Sequence, residues 1–332
     1  LYVAEKENCH AYAVDSGELV SIFQAPQLLP DRRQDWGYLA TVGDHLYGST
    51  NHAGAAFYEL SEDTCDLLEG DFRDLILGNA LFCKNRHTGE TVWTYQKGVL
   101  FNSAIAMNDF TLFFVESRNP EAVVDRDGRL SADLFNASET SLIALDRLTG
   151  DKRWETPYAF PFQHIMYLSH VDGIVLAVGT YNVGKFVHYG LHAFNAQDGK
   201  PIWNSAYQGQ EIGGTHGEQW QHPVIIGEQV YSRPYVFNLK TGEKGSYELD
   251  RGGHGCGGLS GSARYLYGRG FNPRRYALTN QKESGSPLSL VNRPGCWINM
   301  IPAGGLVLLP ESSSGCTCSY SMQLSIAYAP IH

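Results

Sequence analysis

Apolar and polar residues alternate along most of this chain over runs of five to ten positions, the period expected of half-buried β-strands. Turn residues close each run: Asp, Asn, Thr and Ser followed by Gly. One phrase recurs. It reads LFCKNRHTGETVW at Leu81–Trp93, LIALDRLTGDKRW at Leu142–Trp154 and LHAFNAQDGKPIW at Leu191–Trp203. Looser copies are HAYAVDSGELVSI at His10–Ile22 and YVFNLKTGEKGSY at Tyr235–Tyr247. In the three close copies a Trp follows the turn Gly by four residues, at Trp93, Trp154 and Trp203. The pattern predicts strand, tight turn, strand, with Gly taking the positive φ of the turn. The Trp opens the next strand and is placed to cover the apolar face of a neighbouring sheet.

The turn glycines fall at Gly17, Gly89, Gly150, Gly199 and Gly242, so the spacing shrinks from 72 to 43 residues. A four-stranded propeller blade takes about 40–45. The longer early intervals therefore hold insertions, one expected over Ser61–Asp74 and one, a polar turn-rich loop, over Ser117–Ser138. Two further blade-like segments follow without the turn signature, near Arg251–Leu290 and Val291–Pro330. These elements predict an all-β fold, a β-propeller of four-stranded blades, about seven of them with six or eight also compatible. Residues 1–332 read as a single propeller domain within a longer precursor or multidomain chain. The terminal MQLSIAY, Met322–Tyr328, is expected to pair with the first blade and close the ring, because an open edge invites aggregation.

At these phrases the sequence resembles the pyrroloquinoline-quinone-like (PQQ-like) repeat proteins, the propeller superfamily that includes quinoprotein alcohol dehydrogenases and outer-membrane assembly lipoproteins. The form L-x-A-x-[DN]-x-x-[TD]-G-x-x-x-W covers about three-quarters of the chain. The last eighty residues resemble a narrower bacterial subgroup, through GGHGCGGLSGS at Gly252, RPGCWINMIPAGGLVLLPE at Arg293 and GCTCSY at Gly315. The resemblance implies a propeller and leaves activity open. Its enzymatic branch would imply a quinone stacked in the channel, but the vicinal cysteine pair of those enzymes has no counterpart here.

Composition narrows the partners. The formal net charge is −10, which disfavours nucleic acid and anionic membrane surfaces. No run approaches the roughly 18 apolar residues of a membrane-spanning helix. Phosphate-loop, nucleophile-elbow, HExxH and haem-attachment motifs are absent from the sequence. Seven cysteines suit an oxidising compartment with one thiol left over, so a periplasmic or extracellular location is expected. Cys256, Cys296, Cys316 and Cys318 are the disulfide candidates, with metal ligation as the other use. Cys83, in an apolar strand, is expected to be a small buried hydrophobe.

In a propeller the first strand of each blade leads to one mouth of the central funnel. The segments expected to be first strands begin near His164, His222, Gly255 and Cys296, and chemically capable residues cluster at their starts. His216, Gln219, His222 and His254 form a candidate metal set, open to a transition metal or calcium, with PQQ the less favoured cofactor. His164, His222, His254, Arg293 and Tyr267 are the catalytic candidates. The competing use for each histidine is a satisfied hydrogen bond inside a sheet. Arg251, Arg269, Arg274, Arg275 and Arg293 could hold a carboxylate or sulfate, and Tyr181, Tyr265 and Tyr267 could stack on a sugar; solvated surface and core packing compete with those uses.

Three functions fit. A binding or scaffold propeller, taking a small-molecule or glycan ligand or other domains of a larger chain, is slightly favoured. The alternatives are a quinoprotein-like oxidoreductase of alcohols or sugars and a propeller lyase cleaving a uronate-containing glycan.

Overall fold

The computed structural model describes residues 1–56, 74–124, 127–211, 221–249, 257–270, 272–279, 285–292, 294, 300–310 and 324–330. The chain divides into two compact units, Leu1–Gly209 and Gln210–His332.

In the first unit, β1 (Tyr2–Glu5), β2 (Asn8–Tyr12) and β3 (Leu19–Gln24) form a three-stranded antiparallel sheet. A four-stranded meander follows, of β4 (Gln34–Val42), β5 (His45–His52), β6 (Leu75–Asn85) and β7 (Thr91–Tyr95). The next blade comprises β8 (Val99–Met107), β9 (Thr111–Ser117), β11 (Thr140–Asp146) and β12 (Lys152–Pro157). Leu77 and Gly78 of β6 pair with Phe101 and Leu100 of β8, which joins these two blades into one sheet. The unit ends with the meander β13 (Met166–Val171), β14 (Ile174–Val183), β15 (Phe186–Asn195) and β16 (Pro201–Glu211).

The second unit repeats the plan. β17 (Val224–Ile226), β18 (Gln229–Ser232), β19 (Tyr235–Asn238) and β20 (Lys244–Glu248) form one meander. β21 (Ser260–Gly261), β22 (Tyr265–Gly270), β23 (Asn272–Ala277) and β24 (Ser286–Pro287) form another. β25 (Ile301–Ala303), β26 (Leu306–Leu309) and β27 (Ile326–Tyr328) make a three-stranded sheet. The architecture is all-β, of propeller-type four-stranded blades, and the four segments expected to be first strands each supply one: β13, β17, β21 and β25.

The described part of the terminal strand, β27, pairs with β26 and continues the meander begun by the Gly304–Gly305 hairpin. One expectation is corrected: the Ser117–Ser138 insertion is more than a loop. It contains α1 (Pro120–Val123), α2 (Ala132–Asn136) and β10 (Arg129–Leu130), the last paired with the start of β6. Its apolar minority explains the order: Ala122, Leu130, Ala132 and Phe135 are buried, and Phe135 stacks on Phe101 at 4.1 Å. The Ser61–Asp74 insertion lies outside the described residues except for Asp74.

The recurring phrase follows from turn chemistry. Asn85 Oδ1 accepts the backbone N–H of His87 and Thr88 at 2.8 and 3.1 Å, and Asp146 Oδ1 those of Leu148 and Thr149 at 2.9 and 3.0 Å. Asn238 does the same for Lys240 and Thr241. The short side chain thus satisfies backbone donors that the turn would leave open. The Trp then reaches the next blade. Trp93 on β7 donates to the Arg147 carbonyl at 3.0 Å, and Trp154 on β12 to the Ala196 carbonyl at 3.1 Å. Gly150, with φ +77°, has no room for a side chain: a Cβ there would meet the Trp93 ring at 2.8 Å. In these two copies the repeat is a lock between one blade's fourth strand and its neighbour's turn.

Candidate functional site

His164 lies just before β13 and is fully buried. Its Nε2 donates to Asn182 Oδ1 at 2.9 Å, and its backbone N–H, like that of Gln163, binds the Thr180 carbonyl. The Gln163 side-chain carbonyl accepts from the Asn182 backbone at 2.8 Å. These bonds tie the strand entrance to β14, so the fold consumes the hydrogen-bonding capacity that made His164 a candidate. His222, just before β17, has an exposed ring whose Nδ1 faces the Pro223 carbonyl. Tyr267 on β22 is 8% exposed and packs with Met300 and Leu309 in the core of its unit. His216, Gln219, His254, Arg293, Cys256, Cys296, Cys316 and Cys318 lie outside the described residues. Among the described residues, no group of three or more His, Cys, Asp or Glu side chains is disposed to hold a metal ion.

Of the late-blade arginines considered for an anion, Arg269, Arg274 and Arg275 are described. Arg269 is 3% exposed, Arg274 donates to the Gly285 carbonyl at 3.0 Å, and Arg275 lies 5.4 Å over the Tyr265 ring. Arg251 lies outside the described residues. Tyr181 is half-buried beside His188 and packs on the main core. Cys83 is fully buried, as expected, and Cys9 with it; both are free thiols, and burial pushes each up to about 11. Asn136 donates its side-chain amide to the Phe162 carbonyl at 2.8 Å.

Titratable groups that sequence reasoning missed sit between blades of the first unit. Glu116 on β9 is buried and takes Arg118 at 2.6 Å, the Tyr95 hydroxyl at 3.2 Å and the Gly98 N–H at 3.0 Å. Burial raises its carboxyl, and Arg118 foremost among its partners pulls it back. Arg118 also binds Glu155 on β12 at 2.7 Å, so the cluster spans two blades. His192 on β15, enclosed by Phe160, Phe162 and Tyr158, is pushed by burial down to about 4 and is neutral at physiological pH. Its Nδ1 meets the Tyr158 hydroxyl at 2.7 Å. Both arrangements have all the marks of inter-strand fastenings.

A strongly charged concavity lies elsewhere, where β4 begins and β5 ends. Arg32, Arg33, His52, Gly54, Asp127 and Arg129 line a cavity of about 540 Å³. Single arginines scattered over a hundred residues gave no sequence signal; only the insertion's packing brings Arg129 to Arg32.

Residues 73–231 match the family model described as outer membrane protein assembly factor BamB. Those residues are PQQ-like propeller repeats. A curated relative of that name from Burkholderia pseudomallei (strain K96243) is 23% identical over 167 residues, 47% of this chain and 36% of the relative. The match thus spans about a third of that relative's length. Among solved structures, Citrobacter koseri AztD aligns over 93% of this chain and 74% of its own at 9% identity, with a TM-score of 0.52. A chain in the crystal structure of a mitotic checkpoint complex aligns over 92% and 79%, also at 9% identity and a TM-score of 0.52. At such identities the structural likeness speaks for the propeller fold alone. Among the described residues no helix is long and apolar enough to cross a membrane.

Proposed function

We propose that this chain is a binding or scaffold propeller of the cell envelope, periplasmic or extracellular, rather than a redox enzyme. The observation that carries the reading is the PQQ-like repeat segment at 73–231, whose matched family and curated relative are named for assembly of outer-membrane proteins. Two of the described catalytic candidates support it further: His164 is bound within its own blade and Tyr267 sits in a core.

In this reading residues 1–332 act as one propeller domain of about seven blades, belonging to the bacterial subgroup marked by HGCG, RPGCWIN and GCTCSY. Partners are other proteins or domains of a larger chain, with a small-molecule or glycan ligand site on the second unit. That site is formed by His216, Gln219, His222 and His254, which would accept a transition metal or calcium. Cys256, Cys296, Cys316 and Cys318 pair as disulfides in an oxidising compartment.

Incubation with uronate-containing glycans tests the reading against its lyase alternative, in which a His or Tyr abstracts the proton beside the carboxylate. Unsaturated uronate ends, followed by ultraviolet absorbance, should not accumulate. Saturable formation of such ends, lost in Tyr267→Phe or His222→Ala, would replace the binding reading with a lyase.

A further inference from the structure

We propose that the cavity at the open end of the β4–β5 pair is a binding site for a small oxyanionic ligand, one presenting a carboxylate, sulfate or phosphate group. The proposal is independent of the scaffold reading and involves only the first unit.

The cavity is built rather than incidental. Arg32 and Arg33 lead into β4, and His52 ends β5 in register with Gln34, so the two backbones meet at the cavity wall. The Ala53 N–H binds the Arg33 carbonyl at 3.0 Å. The turn after His52 is held by the buried Asp35, whose Oδ2 accepts the Gly54 N–H at 2.9 Å. The third wall comes from the insertion. The Leu77 N–H binds the Gly128 carbonyl at 2.9 Å, which anchors this wall to β6. Gly128, with φ +72°, lies so close that a Cβ would meet His52 at 2.8 Å and Ala55 at 3.1 Å. Arg129, next in the chain, donates its Nε to the Ala55 carbonyl at 2.6 Å, which fixes the guanidinium beside the turn.

Charge points to the ligand. The chain carries a formal net charge of −10, yet among the described residues three guanidinium groups and one imidazole line this cavity with one carboxylate, Asp127. A concave surface focuses the field of like charges and favours an anion there. Arg32 Nη1 lies 3.3 Å from His52 Nδ1; guanidinium only donates, so Nδ1 accepts. Arg33 is exposed and its guanidinium makes no hydrogen bond or ion pair among the described residues, so its planar fork is available for bidentate contact with an oxyanion. The volume, about 540 Å³, falls within the range of small-molecule sites.

Isothermal titration of the full chain with sodium sulfate, inorganic phosphate and galacturonate, each at ionic strength matched with chloride, tests the assignment. Saturable binding of at least one probe is expected, weakened about tenfold or more in Arg33→Gln and unchanged in Lys97→Gln, an exposed cation outside the cavity. Arg33→Gln should melt at the wild-type temperature in chloride, which separates lost binding from lost folding. The sulfate and phosphate arms against galacturonate distinguish a bare oxyanion site from one shaped for an acidic sugar. Absence of saturable binding for all three probes would overturn the proposal, and so would binding that Arg33→Gln leaves intact.

Discussion

Two fourth strands of the first unit, β7 and β12, carry a Trp that fastens the next blade's turn, whereas β20, the fourth strand of a meander in the second unit, carries Ser246 at the same offset from its turn Gly. At Asn85, Asp146 and Asn195 the side chain caps the turn locally, and an aromatic ring from the preceding blade lies against the turn glycine: Phe23 at Gly89, Trp93 at Gly150 and Trp154 at Gly199. At Asn238 the local cap is also present, with Gly242 at φ +71°, and beyond Ser246 the neighbouring Tyr247 is half-buried against its own unit's core. Among the described residues hydrophobic clusters run across blades in both units, one of the first from Leu77 through Phe135 to Phe194 and one of the second from Tyr231 to Leu266 and Tyr276. A tight turn needs only its own five residues, so its chemistry persists wherever the phrase survives. Fastening blade to blade needs a large side chain and a partner carbonyl, and that part of the phrase fades first.

The comparison can be broken most easily at the Trp. Trp93→Ala removes a buried indole and its bond to Arg147, and should cost the first unit about 3–5 kcal/mol. Tyr247→Ala should cost less than half of that. Urea unfolding followed by circular dichroism measures both, and equal losses would mean that the inter-blade Trp has no special role.

A smaller effect is read through pH. His192 is neutral when folded, with its value pushed down to about 4 from 6.5. As pH falls below 6.5 the unfolded chain takes up the proton first, so stability drops with falling pH, by about 2 kcal/mol at pH 5. His170 in the same unit, also lowered by burial, adds in the same direction. Melting temperatures measured from pH 7 to pH 5 should fall in the wild type and fall less in His192→Phe; an unchanged slope in the variant would remove His192 from the account.

The smallest effect should be the same in both units. Asn85→Ala and Asn238→Ala each delete one turn acceptor and should each cost about 1 kcal/mol. A cost confined to one of them would show that the turn depends on its blade after all.

What the sequence revealed follows the same division. The strand-turn-strand phrase, the all-β class and the four first strands at β13, β17, β21 and β25 were legible because period-two alternation and Asx-Gly turns are local signals. The order of the Ser117–Ser138 insertion was not, since the four apolar residues it buries, Ala122, Leu130, Ala132 and Phe135, follow no regular period. The histidines announced chemistry by residue type, but type does not report partners: His164 finds Asn182, eighteen positions on. Nor does it report convergence, and Arg32, Arg33 and Arg129 meet only through a strand pairing that no local pattern encodes.

Reconstitution with pyrroloquinoline quinone and calcium tests the central claim most directly, reading retained quinone by absorbance after gel filtration and dye reduction with alcohols and aldoses. A binding propeller should emerge without stoichiometric quinone and without dye-linked turnover. One quinone retained per chain, with turnover abolished in His222→Ala or His254→Ala, would contradict that account and make the protein an oxidoreductase.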